Sequence, residues 1–223
     1  MIKIFAGYDP REAQGFHVFM ESAIRHTKGS FAIIPLCGAQ KDGTNTFTYA
    51  RFLVPSLCNF KGTAIFLDAS DMLVRADLAE LAALADPHYA VQVVQHEYRT
   101  QNPVKYIGTE MEVTNKDYPR KNWSSVVIWN CEHPKNAWLD AEVIQEISGS
   151  FLHRFSWLND SEIGALPPEW NRLIGEQTGD AKLAHFTLGI PALSYYRDCE
   201  YTEEWHDAAD RATAVPLEMV KVD

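Results

Sequence analysis

The stretch TAIFLDASDMLVRADLAEL, residues 63–81, decides how this chain is read. Its first residues form an uninterrupted apolar run, the pattern of a strand covered on both faces. The run ends on Asp68 and Asp71, with only Ala69 and Ser70 between them. Asp77 then stands where a helix N-cap belongs, and Glu80, three residues on, completes capping-box spacing ahead of an apolar-periodic DLAELAALA. Because Asp77 caps that helix, the two earlier carboxylates are left at the end of a core strand without a capping duty. Carboxylates do line the wet rims of sheets, and a short D-x-x-D serves that plain purpose too. Aimed at one point, however, two such charges repel unless a cation lies between them, and oxygen ligands favour a hard divalent ion such as Mg²⁺ or Mn²⁺.

Outward from this stretch, strands and helices alternate. IKIFAGY is a strand, followed by Asp9, Pro10 and Glu12 in the spacing of a capped helix start, and the helix continues through Phe16, Phe19 or Met20, and Ala23 or Ile24 on one side. SFAIIPL, TAIFLD, YAVQVVQ and WSSVVIWN read as further strands, FTYARFLVPSL as a second helix, and AKLAHFTLGIPAL as strand then loop. This alternation predicts an α/β fold with a mostly parallel central sheet and helices on both faces, in one domain over residues 1–223. Ligands bind such sheets beyond the carboxyl ends of their strands. The Gly7-Tyr8-Asp9 turn and the Asp68 to Asp71 turn are therefore expected at one rim. Residues 97–122 break the pattern as a long polar segment, expected to be a functional loop or short excursion. SWLNDSEIGALPPEWNRL holds a short acidic helix and a Pro-Pro turn, and the residues after Asp198 are acidic and weakly patterned.

Composition narrows the partners. A balance of 46% hydrophobic to 22% charged residues is that of an ordinary folded protein. A net charge of −10 argues against holding bare nucleic acid by counterion release, and it would repel a polyphosphate unless a cation or a few local basic residues intervene. Cys37, Cys58, Cys131 and Cys199 form no C-x-x-C pair and are expected as free thiols. Neither a signal-peptide core nor a run long enough to cross a bilayer is visible, so the expected location is cytoplasmic.

The order of GYD, YARFLVP, FLDASDMLVRADLAEL, WSSVVIWN, LNDSEIG, LPPEWN and AHFTLG resembles the glycosyltransferases of the GT-A fold, family 8 and its relatives, over roughly residues 2–191. The resemblance implies a metal-dependent enzyme that moves a sugar from a nucleoside diphosphate donor, expected to be UDP-linked, to an acceptor hydroxyl with retention at the anomeric carbon. A sugar nucleotidyltransferase and a non-catalytic nucleotide- or glycan-binding module are the alternatives. The first of these would want a Gly-rich basic loop after the first strand, whereas AGYDPRE has one glycine and one arginine.

Residue by residue, the resemblance makes Asp68 and Asp71 the counterpart of the family's D-x-D pair, which holds the metal and the donor ribose. His185 in AHFTLG becomes the third metal ligand. On its own, His185 reads as a hydrogen-bonded core histidine. Two carboxylates and an imidazole suit Mn²⁺, with Mg²⁺ as the other choice. Ala6, Gly7, Tyr8 and Asp9 match the loop that receives the nucleotide base, although helix capping already accounts for Asp9. Arg51 matches an arginine that meets the donor's phosphate or sugar, its plain alternative being a solvated helix face. Asp160, Ser161 and Glu162 fall where the family has the D-Q-D stretch lining the reacting face, with serine in the place of the glutamine, and are expected to be catalytic; a helix N-terminus rich in acids is the other reading.

Three departures stand out. D-A-S-D is one residue longer than D-x-D, so Ser70 either bulges out or adds a hydroxyl to the site. Trp123 replaces an asparagine, leaving Asn122 or Ser124 to meet the donor sugar. The lysine common after HFTLG is absent, and Lys105, Arg120, Lys121 or Lys182 is left to replace its charge, with Lys121 counted among the donor-binding residues. Acceptors in reach of this reading are a glycan, a lipid-linked sugar, a protein hydroxyl or a modified base.

Overall fold

The computed structural model describes residues 1–38 and 45–214. The apolar runs become strands: β1 (Ile2–Gly7), β2 (Phe31–Leu36), β3 (Thr63–Leu67), β4 (Met72–Val74) and β5 (Val91–Val93). A short ribbon, β6 (Val104–Lys105) with β7 (Val113–Thr114), is followed by β8 (Val126–Asn130), β9 (Ile163–Ala165), β10 (Arg172–Leu173) and β11 (Leu183–His185). The main sheet has the order β2-β1-β3-β8-β5-β9, and a smaller one the order β10-β11-β4. β1 runs parallel to β2 and β3, and β5 parallel to β9. β8 is antiparallel to both of its neighbours. A parallel return needs a crossover, usually helical. The chain between β5 and β8 contains the ribbon and no α-helix, so β8 comes back antiparallel beside β5.

β3 shows why the sheet holds. Ala64 and Phe66 point into one core with Phe52, Trp129 and Phe155, while Ile65 and Leu67 point into the other with Ile4, Phe19 and Leu78. Full burial of a side chain such as Phe66 contributes about 1.5–3 kcal/mol. Pro35, which cannot donate to a ladder, sits on β2 at the sheet's edge.

Helix α1 (Ala13–His26) follows the Asp9 turn, and α2 (Val54–Leu57) continues a 3-10 turn over Ala50–Leu53. Next come α3 (Leu78–Ala82), α4 (Ala141–Glu146), α5 (Gly149–His153) and α6 (Thr202–Thr213). α6 corrects the weak patterning expected after Asp198: Trp205, Ala208 and Ala209 form a narrow apolar stripe buried with Val18 of α1. Two of the expected capping boxes are only half present. Asp9 and Asp77 accept backbone N–H groups from Arg11 and Ala79, but Glu80 pairs with Lys182 and Glu12 is buried. A complete box forms instead at Asn159 and Glu162.

Candidate active site

The extra residue in D-A-S-D ties two rims together. Ser70 Oγ donates to the Gly7 carbonyl at 3.2 Å and accepts the Asp9 N–H at 3.3 Å, so it neither bulges into solvent nor joins the site. Asp68 and Asp71 therefore face the end of β1, as the sheet rule predicts. The small sheet brings in the imidazole: His185 stands opposite Met72, and the Phe186 N–H donates to the Asp71 carbonyl at 2.8 Å. His185, only 2% exposed, puts Nε2 3.2 Å from Asp71 Oδ2.

The tautomer of His185 follows from its neighbour. The Asn171 amide nitrogen donates to the Asn122 carbonyl, which can only accept, so Asn171 Oδ1 faces His185 Nδ1 at 2.8 Å and accepts its N–H. A neutral His185 then turns the lone pair of Nε2 toward a carboxylate. That contact is repulsive unless a proton or a cation lies in it. Asp71 Oδ1 is also buried without a hydrogen-bond partner. Both observations fit a positive charge at this point.

Asp68 is arranged differently. Arg51, buried rather than solvated, donates from Nη1 to Asp68 Oδ2 at 3.2 Å and holds Nη2 2.9 Å from Oδ1. Burial pushes the Asp68 carboxyl above its ordinary range, against the pull of Arg51. Among the described residues, no three His, Cys, Asp or Glu side chains are grouped to hold a metal ion. The expected trio is thus brought together at Asp71 and His185 but not at Asp68, because the guanidinium competes for it.

Two cavities meet at Asp68. The first, about 580 Å³, is lined by Asp68, Asp71, His185, Lys105, Lys121 and Arg11, among others. The second, about 740 Å³, shares Asp68 and Asn122 with it and reaches Arg51, Ser124, His153 and Arg154. Three lysines, Lys105, Lys116 and Lys121, thus line the first cavity with its acids. Lys105 Nζ donates to Thr187 Oγ1 at 2.6 Å, and burial pushes its pKa down to about 8. Lys121 Nζ donates to Asn115 Oδ1 at 2.7 Å and lies 3.5 Å from Asp117.

Some expected residues lie elsewhere. Asp9 is fully buried, and its carboxylate accepts from Arg11 and from the Thr46 N–H, so it shapes the rim. Ala6 is buried, and the Tyr8 ring packs edge-on against Phe16. A Cβ on Gly7 would lie 2.5 Å from the Phe47 ring, so glycine is needed for close approach. It is Phe47 and Arg11 that reach the first cavity from this corner. Asp160, Ser161 and Glu162 line neither cavity. The Asp160 side chain is 92% exposed and paired with Arg120, while Glu162 closes the capping box and Ser161 is exposed. A helix start rich in acids is what this run forms. Arg120 and Lys182 are occupied by Asp160 and Glu80, which leaves Lys105 and Lys121 at the site.

Sequence reasoning missed three groups. Glu12 was hidden by its capping spacing; it is buried, with Oε1 unpartnered, and burial followed by the charges of Asp71, Asp9 and Asp68 holds it well above the carboxylate range. Tyr106 reaches the cavity from an aperiodic segment in a left-handed conformation with φ 55°, which no spacing announces. His153 bonds Ser124 Oγ at 2.7 Å, a pairing across 29 residues that only the fold creates.

No family model matches the chain. Protein CDI of Arabidopsis thaliana is 38% identical over 222 residues, covering 91% of this chain and 84% of that protein. The fold is that of the GT-A glycosyltransferases. The bifunctional glycosyltransferase WbbM superposes with a TM-score of 0.67 at 15% identity over 98% of this chain, and the glycosyltransferase GlyE of Streptococcus pneumoniae TIGR4 with 0.61 at 14% over 93%. The chain spans 50% of the WbbM chain and 60% of the GlyE chain. The galactosyltransferase LgtC, in complex with donor and acceptor sugar analogs, superposes with 0.58 at 13% identity, covering 97% of this chain and 98% of its own. Among the described residues, no helix is long and apolar enough to cross a membrane.

Proposed function

This chain belongs to one family with Protein CDI of Arabidopsis thaliana, and on the GT-A frame it carries we propose that it transfers a sugar from a nucleoside diphosphate sugar, a UDP-sugar, to an acceptor hydroxyl with the help of a divalent cation. The observation that carries the reading is His185 Nε2 against Asp71 in one cavity with the half-buried Lys105 and the buried Lys121. Asp71 and His185 would hold Mn²⁺ or Mg²⁺, with Asp68 at their side. The cation, when bound, neutralises charge on the departing diphosphate.

The protein's own groups do the rest. Lys105 and Lys121 supply positive charge in the first cavity, where low dielectric strengthens their pull on phosphate oxygens. Arg51 holds Asp68 in place and lines the second cavity. Asn122 and Ser124 line the second cavity, where hydroxyl and amide groups suit a sugar. The segment around β6 and β7 forms a wall of the first cavity and excludes water that would hydrolyse the donor. Retention at the anomeric carbon rests on the resemblance to family 8, and the acceptor hydroxyl belongs to a glycan, a lipid-linked sugar, a protein or a modified base.

The test is release of UDP from a panel of UDP-sugars with Mn²⁺, with GDP- and ADP-sugars as controls. Asp71→Ala should abolish release while the protein still melts cooperatively. No turnover of any nucleotide sugar, together with no nucleotide binding, would sink the reading; binding without turnover with any acceptor would make the protein a recognition module.

A further inference from the structure

The cations around the two cavities are unequally matched. Arg51 is paired with Asp68, Lys121 with Asn115 and Asp117, and Lys105 with Thr187. Arg154 is not matched. It lines the second cavity, and its Nε is shut off from solvent with no hydrogen-bond partner. Among the described residues its guanidinium has neither an ion pair nor a side-chain acceptor. Lys116, exposed on the rim common to both cavities, has no carboxylate within ion-pair distance among the described residues either. Of the two acids lining this cavity, Asp68 is neutralised by Arg51 and Asp117 faces Lys121.

Two uncompensated cations in one cavity of a chain with net charge −10 are therefore a local inversion of sign. A guanidinium that lines a cavity without a counter-ion is left to pair with an anion that enters it. A guanidinium fork fits the paired oxygens of a carboxylate or phosphate, and a nearby ammonium adds a second point of attraction. The cavity, about 740 Å³, has room for a substituted sugar. Nothing comparable favours a neutral ring, which would leave Arg154 unpaired.

We propose that the second cavity is a subsite for an anionic sugar, with Arg154 as the fork that takes its phosphate or carboxylate and Lys116 as the supporting cation. The sugar rests on the glycosyl-transfer reading given above, while the preference for an anion rests on Arg154 and Lys116. The anion could be carried by the acceptor or by the donor's sugar, and the same recognition chemistry serves both.

Isothermal titration of the whole chain distinguishes these. In one arm the protein is saturated with UDP and Mn²⁺ and titrated with glucose, glucose 6-phosphate and glucuronate. In the other, UDP-glucose is compared with UDP-glucuronate. At least one anionic ligand should bind about ten-fold or more tightly than its neutral partner. A gain in the first arm assigns the anion to the acceptor, and a gain in the second to the donor. Arg154→Gln should remove the advantage. Equal binding of neutral and anionic ligands in both arms, or an advantage that survives Arg154→Gln, overturns the proposal. Should that variant not melt cooperatively, Lys116→Gln carries the test, an unchanged advantage counting against the subsite. A wild-type protein that binds anionic sugars but no UDP would refute the nucleotide-sugar reading and leave the anion subsite standing.

Discussion

Gly15 of α1 lies directly against the carbonyl of Ser70: a Cβ at this position would fall well inside contact distance of that oxygen. The first helix thus presses on the turn that carries both aspartates, and the contact is with backbone, which has nowhere flexible to yield. Gly15→Ala is expected to destabilise the fold by about 1–3 kcal/mol, the usual cost of overpacking, and to displace Asp71 from His185. Thermal melting and Mn²⁺ affinity read the two effects; unchanged values for both would show that the turn has slack.

Arg51→Met removes the counter-charge of a buried carboxylate. Breaking such a pair on one side costs about 3–5 kcal/mol, and the partial exposure of the Asp68 side chain, 15%, places this case at the lower end or below. Urea unfolding should show the loss, and Asp68→Asn in the same background should recover part of it. A full loss in the double variant would mean that Arg51 acts through packing on Phe66 and Phe47.

Asn171→Ala frees the imidazole of His185 from the group that sets its tautomer. If His185 ligates a cation, affinity for Mn²⁺, read by electron paramagnetic resonance, should fall about 10- to 100-fold. Equal affinity would detach His185 from the metal.

His96 is held neutral. Burial lowers its pKa from 6.5 to about 3 and does the same to His153. Below pH 6.5 the unfolded chain takes up protons that the folded one refuses. Stability is therefore complete above that pH and falls as the solution is acidified toward 3, by up to about 1.4 kcal/mol per pH unit for each histidine. Urea titrations at pH 7, 6, 5 and 4 check this, and His153→Gln should flatten the slope by about half.

The α/β order, the core strand ending in Asp68 and Asp71 and the rim it shares with Gly7 were legible along the chain, because periodicity and strand-end position are local properties; His185 by itself reads as a core histidine, and only the resemblance to family 8 set it beside the aspartates. Tertiary structure alone decided which of those groups are available. The resemblance makes site residues of Asp9 and Asp160, yet one is saturated by Arg11 and the other is held on the surface by Arg120. Lys105, Tyr106 and His153 come from segments without a site signal in the sequence and reach the cavities only because the fold brings the ribbon and α5 to line them. Hydrogen-bond partners and unpaired charges are set by contacts between residues far apart in sequence, and a linear pattern carries no record of them.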